Sequence, residues 1–404
     1  MGTGQDAGAA ERRSLRFTFN GRPVRAYEGD TVACALVRAG VHTFSRSMKF
    51  HRPRGMYCGA GRCISCMMRV NGIPGVRTCT LPVAEGMVAE SQGGFPGTRF
   101  DMLSVLDHVF RRQFDYHSRF IRPRFMTPVY QRVVRRLAAS GQLPDGPRGY
   151  PPVSTRNCRV LVIGQGVSGS VAAARLRATD MRGVVAIDRM LGSETRMPSV
   201  AFGIYEGTEV GVQVGEGIQI LRPEAIILAT GRYETGLPIP NADLPGVLLP
   251  SALAQLVSHE VAPGENAVVI GSNGMREPVL RNLNALGVRV VKEFDDPSSV
   301  DRIVGAKRVE GVEMSPDGPD CGTVPCDTVV IMGPLVPAIE LAQQAGCDLS
   351  SQDGTVAVKV DAHGMTSVPS VFACGSVAGS RDQSERISSG QRAADAILEQ
   401  LGVG

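Results

Sequence analysis

From Leu15 to Tyr27 apolar and polar residues alternate around an Asn20-Gly21 pair. Period-two alternation predicts two half-buried strands, and Asn-Gly suits the tight turn between them. TVACALVRAGV then reads as a short amphipathic helix, begun by Asp30-Thr31 as cap and ended by Gly40. Val70-Asn71-Gly72-Ile73 marks a second hairpin. Further on the pattern changes period. CRVLVIG, GVVAID, EAIILATG and NAVVIG are continuous apolar runs, each closed by glycine or aspartate. Such runs suit buried parallel strands, and helical patterns such as SVAAARLRAT lie between them. Between the two regimes, residues 101–157 are helical in pattern, aromatic and rich in arginine. That stretch reads either as a connector or as a docking face, since both residue types are enriched where proteins meet. PDGPRGYPPVSTRN closes it as a proline-rich linker.

The chain has 404 residues, 43% hydrophobic and 20% charged, the composition of a globular protein of two or three domains. A net charge of +4 is too small to argue for nucleic acid. No apolar run approaches the roughly 20 residues that a membrane helix needs. The start, MGTGQDAGAAERR, lacks an apolar signal core and reads as a tail. Six of the ten cysteines are scattered: Cys34, Cys158, Cys321, Cys326, Cys347 and Cys374. That favours a reducing cytoplasm over a disulfide framework. Cys321 and Cys326, spaced C-x4-C among Pro and Gly, read as unremarkable thiols.

The other four, Cys58, Cys63, Cys66 and Cys79, are spaced C-x4-C-x2-C-x12-C. A [2Fe–2S] cluster needs four thiolates converging on two irons. One loop can supply three of them, and the hairpin after Cys66 returns the fourth. Gly59 and Gly61 let the loop curl and turn its N–H groups to the sulfurs. A zinc site and buried free thiols are the competing readings, but zinc favours paired CxxC units, and only Cys63 and Cys66 form one. Strand, strand, helix, cysteine loop is the order of the β-grasp ferredoxin fold.

CRVLVIG runs into Gly164-Gln165-Gly166-Val167-Ser168-Gly169 and a helix, and the next strand ends at Asp188. In a dinucleotide-binding turn the first glycine permits the turn, the second admits the pyrophosphate and the third packs helix on strand. The helix N-terminus favours phosphate, and Asp188 is placed to accept from ribose hydroxyls. The strand ending in Ala229-Thr230-Gly231 and the later Gly375-Ser376 turn favour FAD over NAD at this site. Both resemble motifs of two-dinucleotide-domain flavoproteins, and the resemblance implies that Gly375 leads into a helix aimed at the flavin. A second loop, Gly271-Ser272-Asn273-Gly274-Met275-Arg276, carries Asn273 and Arg276 where a pyridine nucleotide wants small residues, so NAD(P) binding is not expected there. The fold class is therefore α/β and multidomain, a β-grasp [2Fe–2S] domain followed by a Rossmann-like flavoprotein with two dinucleotide-binding domains. The divisions fall at 14–95 for the β-grasp domain and 96–157 for the connector. They continue at 158–244 with 346–404 for the FAD domain and 245–345 for a degenerate NAD-like domain.

RSMKFHRPRG-MYCGAGRCISC, FDYHSRFIRPRF, AFGIYEGTEVGV and ATGRYE…DLPGVLLPSA resemble the α subunits of multimeric amine and amino-acid oxidoreductases. That group includes heterotetrameric sarcosine oxidase, opine oxidase, dye-linked proline and hydroxyproline dehydrogenases, and hydrogen cyanide synthase. The resemblance implies an electron-transfer and nucleotide-binding subunit, carrying a [2Fe–2S] cluster and FAD or a smaller adenine nucleotide. It also implies a separate FAD-dependent β subunit that oxidises the amine, and an external electron acceptor. Its expected place is the cytoplasm, or the inner face of the membrane through that partner. All four cluster cysteines are present, whereas sarcosine oxidase α subunits lack them. The span from Asp188 to Ile226 is short for wrapping FAD, and Ser376 stands where Asp usually follows the glycine. No general base is evident. His42, His51, His108, His117, His259 and His363 do not cluster in sequence, and His51 reads as a packing residue. The alternatives are a free-standing NAD(P)H-dependent reductase and a non-catalytic scaffold with a structural nucleotide.

Overall fold

The computed structural model describes residues 12–47, 51–94, 97–101, 149–179, 181–189, 199–205, 208–215, 217–316, 321–352 and 354–403, with positions 125 and 128. Most of the arginine-rich connector lies outside these residues.

At the N-terminus, β1 (Ser14–Phe19) and β2 (Arg22–Tyr27) pair antiparallel across Asn20 and Gly21, both at positive φ. Helix α1 (Val32–Arg38) follows, with the Thr31 hydroxyl accepting from the Cys34 N–H as its cap. β3 (Met67–Val70), β4 (Ile73–Arg77) and β5 (Val88–Ser91) complete a five-stranded sheet in the order β2-β1-β5-β3-β4. β1 and β5 run parallel. Helix α1 differs from the amphipathic expectation, because every residue from Val32 to Val37 is buried. Its outer side is covered by residues far along the chain, Leu248, Ala252, Leu256 and Val261, which share its apolar core.

β6 (Val153–Ile163), helix α2 (Val167–Ala178) and β7 (Val184–Ile187) form the first parallel unit. β6 begins five residues before Cys158, inside the stretch read as linker. Its exposed first half is held by ladder pairing with Ile218–Arg222 rather than by burial, so hydropathy carries no sign of it. β8 (Ser199–Tyr205) and β9 (Glu209–Val214) meander antiparallel onto β10 (Gly217–Leu228). β11 (Val247–Leu248), helix α3 (Pro250–Ser258), β12 (Asn266–Ile270), helix α4 (Arg276–Ala285), β13 (Arg289–Phe294) and β14 (Thr328–Ile331) make a second parallel sheet, ordered β11-β14-β12-β13. Finally β15 (Val371–Ala373) joins β10 in parallel, and helix α5 (Gln383–Gln400) ends the fold.

Two compact units result, each discontinuous in sequence. One is Met1–Pro147 with Glu234–Pro334, which puts the N-terminal sheet and the second parallel sheet together. The other is Arg148–Tyr233 with Leu335–Gly404, built on β6 to β10 and β15. No helix among the described residues is long and apolar enough to cross a membrane.

Candidate functional site

In the first unit the loop from Cys58 to Cys66 curls at Gly59 and Gly61, whose φ values are +61° and +67°. The β3–β4 hairpin turns at Asn71 and Gly72 and brings Thr78 and Cys79 back beneath it. The Thr78 hydroxyl donates to the Cys66 carbonyl at 2.7 Å. The Gly61 N–H donates to Cys79 Sγ at 3.2 Å, and the N–H groups of Ala60 and Cys63 donate to Cys58 Sγ at 3.5 and 3.4 Å. The thiols also bond one another, Cys58 with Cys63 and Cys79, and Cys66 with Cys79. Those bonds favour the Cys58 thiolate, and they push Cys63 and Cys79, the donors, upward. Cys58, Cys66 and Cys79 are buried and Cys63 half-buried. Ile64, between them in sequence, is 68% exposed. Four facing thiols with backbone donors aimed at sulfur fit the donor set of a [2Fe–2S] cluster.

The cluster loop lies along a second stretch of the same unit. Arg52 and Arg54 both pair with Asp243, at 3.1 and 2.9 Å, and Arg52 also donates to the Asn241 side chain at 2.5 Å. A Cβ on Gly55 would press on Pro245 at 3.1 Å. The Leu249 N–H donates to the Tyr57 carbonyl at 2.8 Å. A Cβ on Gly59 would come within 2.5 Å of the Ala252 Cα. The Gln255 amide donates to the Cys79 carbonyl. HRPRG and DLPGVLLPSA, two motifs with no obvious local folding role, are thus the two sides of one interface. Beyond it, Asp30 is fully buried, accepts from the Tyr27 N–H and pairs with Arg38 and with His259 at 3.4 Å. Burial would raise its pKa, but the bonds from His259, Arg38 and Tyr27 outweigh that and bring it to about 2. His51 is buried at φ +54°, with Nδ1 2.9 Å from the Asp101 carboxylate, a packing arrangement away from the thiols.

The second unit holds a cavity of 480 Å³ at the carboxyl ends of its parallel strands. Gly164, Gly166, Asp188, Arg189, Phe202, Thr230 and Gly231 are among the residues that line it. That is where open α/β sheets take their ligands. The glycines divide by role. Gly164 sits at φ +103°, and a Cβ there would overlap the Ala229 carbonyl. A Cβ on Gly169 would overlap the Gly164 carbonyl, so Gly169 fixes helix to strand. Gly166 meets nothing within 4 Å, and its missing side chain leaves open space where a phosphate can approach. Asp188 lines the cavity, with one carboxylate oxygen accepting from the Gln165 N–H at 2.7 Å. Tyr233 bonds Glu340 at 2.7 Å, and burial with that carboxylate pushes its pKa to about 12.

Gly375 and Ser376 follow β15, the order of strand, glycine turn and helix expected from the sequence. Gly375 is buried at φ +78°, its N–H held by the Ser389 hydroxyl at 3.0 Å. A single short 3-10 turn of helix begins at Gly375 and runs to Ala378, and helix α5 follows from Gln383, capped by Asp382. Ser376 opens into a second cavity of 600 Å³, with Arg232, Lys359, Ser380 and Arg381. Sequence spacing could not show which side of the turn the hydroxyl would take.

At the loop after β12, the Asn273 amide donates to the Gly333 carbonyl at 2.7 Å, and its oxygen accepts from the Met275 N–H at 3.0 Å. Asn273 thus braces the loop from inside. Arg276 is exposed on helix α4 and pairs with Glu293 at 2.9 Å and Asp295 at 3.5 Å.

Comparison with known proteins agrees with both halves. Residues 12–94 match the 2Fe-2S iron-sulfur cluster binding domain, and residues 272–396 match the pyridine nucleotide-disulphide oxidoreductase family. Sarcosine oxidase subunit alpha of Rhizobium meliloti (strain 1021) is 29% identical over 96% of this chain and 46% of its own length. Hydrogen cyanide synthase subunit HcnA of Pseudomonas aeruginosa is 32% identical over 22% of this chain and 82% of its own. L-proline dehydrogenase from P. horikoshii shares the fold, with a TM-score of 0.71 at 20% identity over 97% of this chain and 74% of that one. This chain spans about half the length of the sarcosine oxidase subunit. The resemblance to the α subunits of this oxidoreductase group holds. The chain combines a 2Fe-2S domain with a Rossmann-like flavoprotein fold, which supports a cluster and FAD as its cofactors.

Proposed function

We propose that the chain is the electron-transfer and nucleotide-binding subunit of a multimeric flavoprotein oxidoreductase acting on an amine or amino acid. The observation that carries this is the set of four facing thiols with backbone N–H groups aimed at their sulfurs. Cys58, Cys63, Cys66 and Cys79 would hold the cluster. Gly164, Gly166, Gly169, Thr230 and Gly231 would shape the nucleotide site, with Asp188 facing the ribose. A cluster supplies one-electron transfer and a flavin accepts electrons in pairs, so a chain with both suits passing electrons onward.

Among the described residues lining the nucleotide cavity, the phenol Tyr233 is tied to Glu340 and Asp188 to its own loop. Neither is poised as a base toward an amine. In this reading a partner flavoprotein of the amine-oxidase type carries the amine chemistry in the cytoplasm, and electrons leave to an external acceptor; the partner subunits named among the similar proteins support it. Purified alone, the chain should turn over neither sarcosine, proline nor an opine, and activity should appear on adding the partner flavoprotein. Turnover by the isolated chain would overturn the reading.

FAD is the nucleotide this reading expects in the 480 Å³ cavity. Chromatography of the nucleotide released on denaturation should show FAD, and AMP or ATP in its place would refute that expectation.

A further inference from the structure

We propose that helix α3 of the second parallel domain is part of the cluster's own binding site, with Gln255 as a positioning residue for the cluster. The inference rests on the cluster reading above. The degenerate nucleotide loop raises the question of what this domain does. Asn273 fills that loop from within. The opposite flank of the domain is elaborate by contrast. Asp243 receives two arginines from HRPRG, Leu249 bonds the Tyr57 backbone beside Cys58, and Ala252 lies directly under Gly59. Cys58 shares an apolar cluster with Leu244, Val247 and Leu249. One wall of the cysteine loop is therefore made of residues about two hundred positions away.

Gln255 is the polar contact in that wall nearest the fourth ligand. It is 8% exposed, and its Nε2 donates to the Cys79 carbonyl. Its Oε1 is buried with no partner among the described residues. A buried amide with one half unpaired is costly, so the side chain is held there by what its other half does. That half fixes the peptide carrying Cys79 Sγ. It also draws electron density from the Cys79 peptide, next to which a bound cluster would gain negative charge on reduction. Such outer contacts orient ligands and tune metal sites, and losing one typically costs 10–100-fold in metal affinity or activity.

The test uses the full chain and two variants. Gln255→Met keeps the length and loses the donor. Gln255→Ser, smaller and too short to reach the carbonyl, covers the case in which the methionine variant does not fold. Anaerobic redox titration followed by electron paramagnetic resonance should show a reduction potential below wild type in either variant. Iron release to a chelator should be faster by about tenfold or more. A folded variant with wild-type potential and wild-type release rate overturns the role of Gln255 while leaving the cluster intact. A wild-type chain that holds no iron after anaerobic purification overturns the cluster reading itself, and this inference with it.

Discussion

The contrast between Gly166 and Gly169 gives a prediction with a magnitude. Gly166 has φ −68° and caps helix α2 through its backbone alone, with nothing within 4 Å of an added Cβ. The Cβ of alanine there meets no protein atom. Alanine costs up to about 1 kcal/mol as a poorer cap, offset by about 0.4–1 kcal/mol from a stiffer unfolded chain. Stability should therefore change by less than about 1 kcal/mol, a few degrees in Tm at most. Nucleotide binding should collapse, because the Cβ occupies the space through which a pyrophosphate reaches the backbone. Losing two charge-assisted N–H bonds of about 1.5–3 kcal/mol each weakens binding by roughly two to four orders of magnitude. Gly169 should behave in the opposite sense. Its Cβ would overlap the Gly164 carbonyl and press on Ala229, so Gly169→Ala forces helix from strand at about 1–3 kcal/mol. Thermal unfolding of nucleotide-free protein, paired with equilibrium titration of FAD, reads both quantities. Unchanged affinity in Gly166→Val, or Gly169→Ala as stable as Gly166→Ala, would refute the division of roles.

Three further outcomes are expected. Cys63→Ser should lose most of the iron from a protein that otherwise holds about two per chain; a colourless, zinc-loaded wild type from anaerobic purification would count against the cluster. NADH at micromolar concentration should fail to bleach the chromophores rapidly in anaerobic stopped flow, because Asn273 already takes the loop's inward hydrogen bonds; fast bleaching would mean that the loop opens to nucleotide. Asp30, whose carboxyl pKa lies near 2 instead of 3.8, stabilises the fold fully above about pH 5 and loses that contribution as pH falls toward 2, about 2 kcal/mol in all. The stability gap between wild type and Asp30→Asn, followed by urea unfolding, should therefore shrink on acidification, and a gap constant from pH 7 to pH 2.5 would contradict it.

β1, β2, the apolar parts of β6, β7, β10 and β12, both Asn-Gly hairpins and the dinucleotide turn were legible because each is written locally. Alternation gives β1 and β2, and Asn71-Gly72 demands its turn by positive φ. The first half of β6 was not legible, since its exposed residues are held only by pairing with Ile218–Arg222. The burial of α1 was missed for a related reason, because the residues that cover it come from Leu248 to Val261. HRPRG and DLPGVLLPSA stood out as specific strings, yet only the structure shows them meeting at Asp243. Gln255 carried no signal at all, being one glutamine in an ordinary helix until the Cys79 carbonyl is set beside it.

That shared core imposes an order of events during synthesis. The residues that close over α1 and the cluster loop leave the ribosome roughly 170 residues after the last strand of the N-terminal sheet, a delay of roughly 10–30 s at ordinary rates of translation. Through that interval the four thiols sit on an unfinished domain, open to solvent, oxidants and zinc. Iron–sulfur loading before α3 arrives would place the metal in a site lacking one wall; loading afterwards would require the loop to lift from Ala252 and Gln255. Expression of the N-terminal domain alone, a common shortcut with ferredoxin modules, should for the same reason give a chain that aggregates or binds its cluster poorly. Adding residues 234–334 should supply the missing wall and restore both.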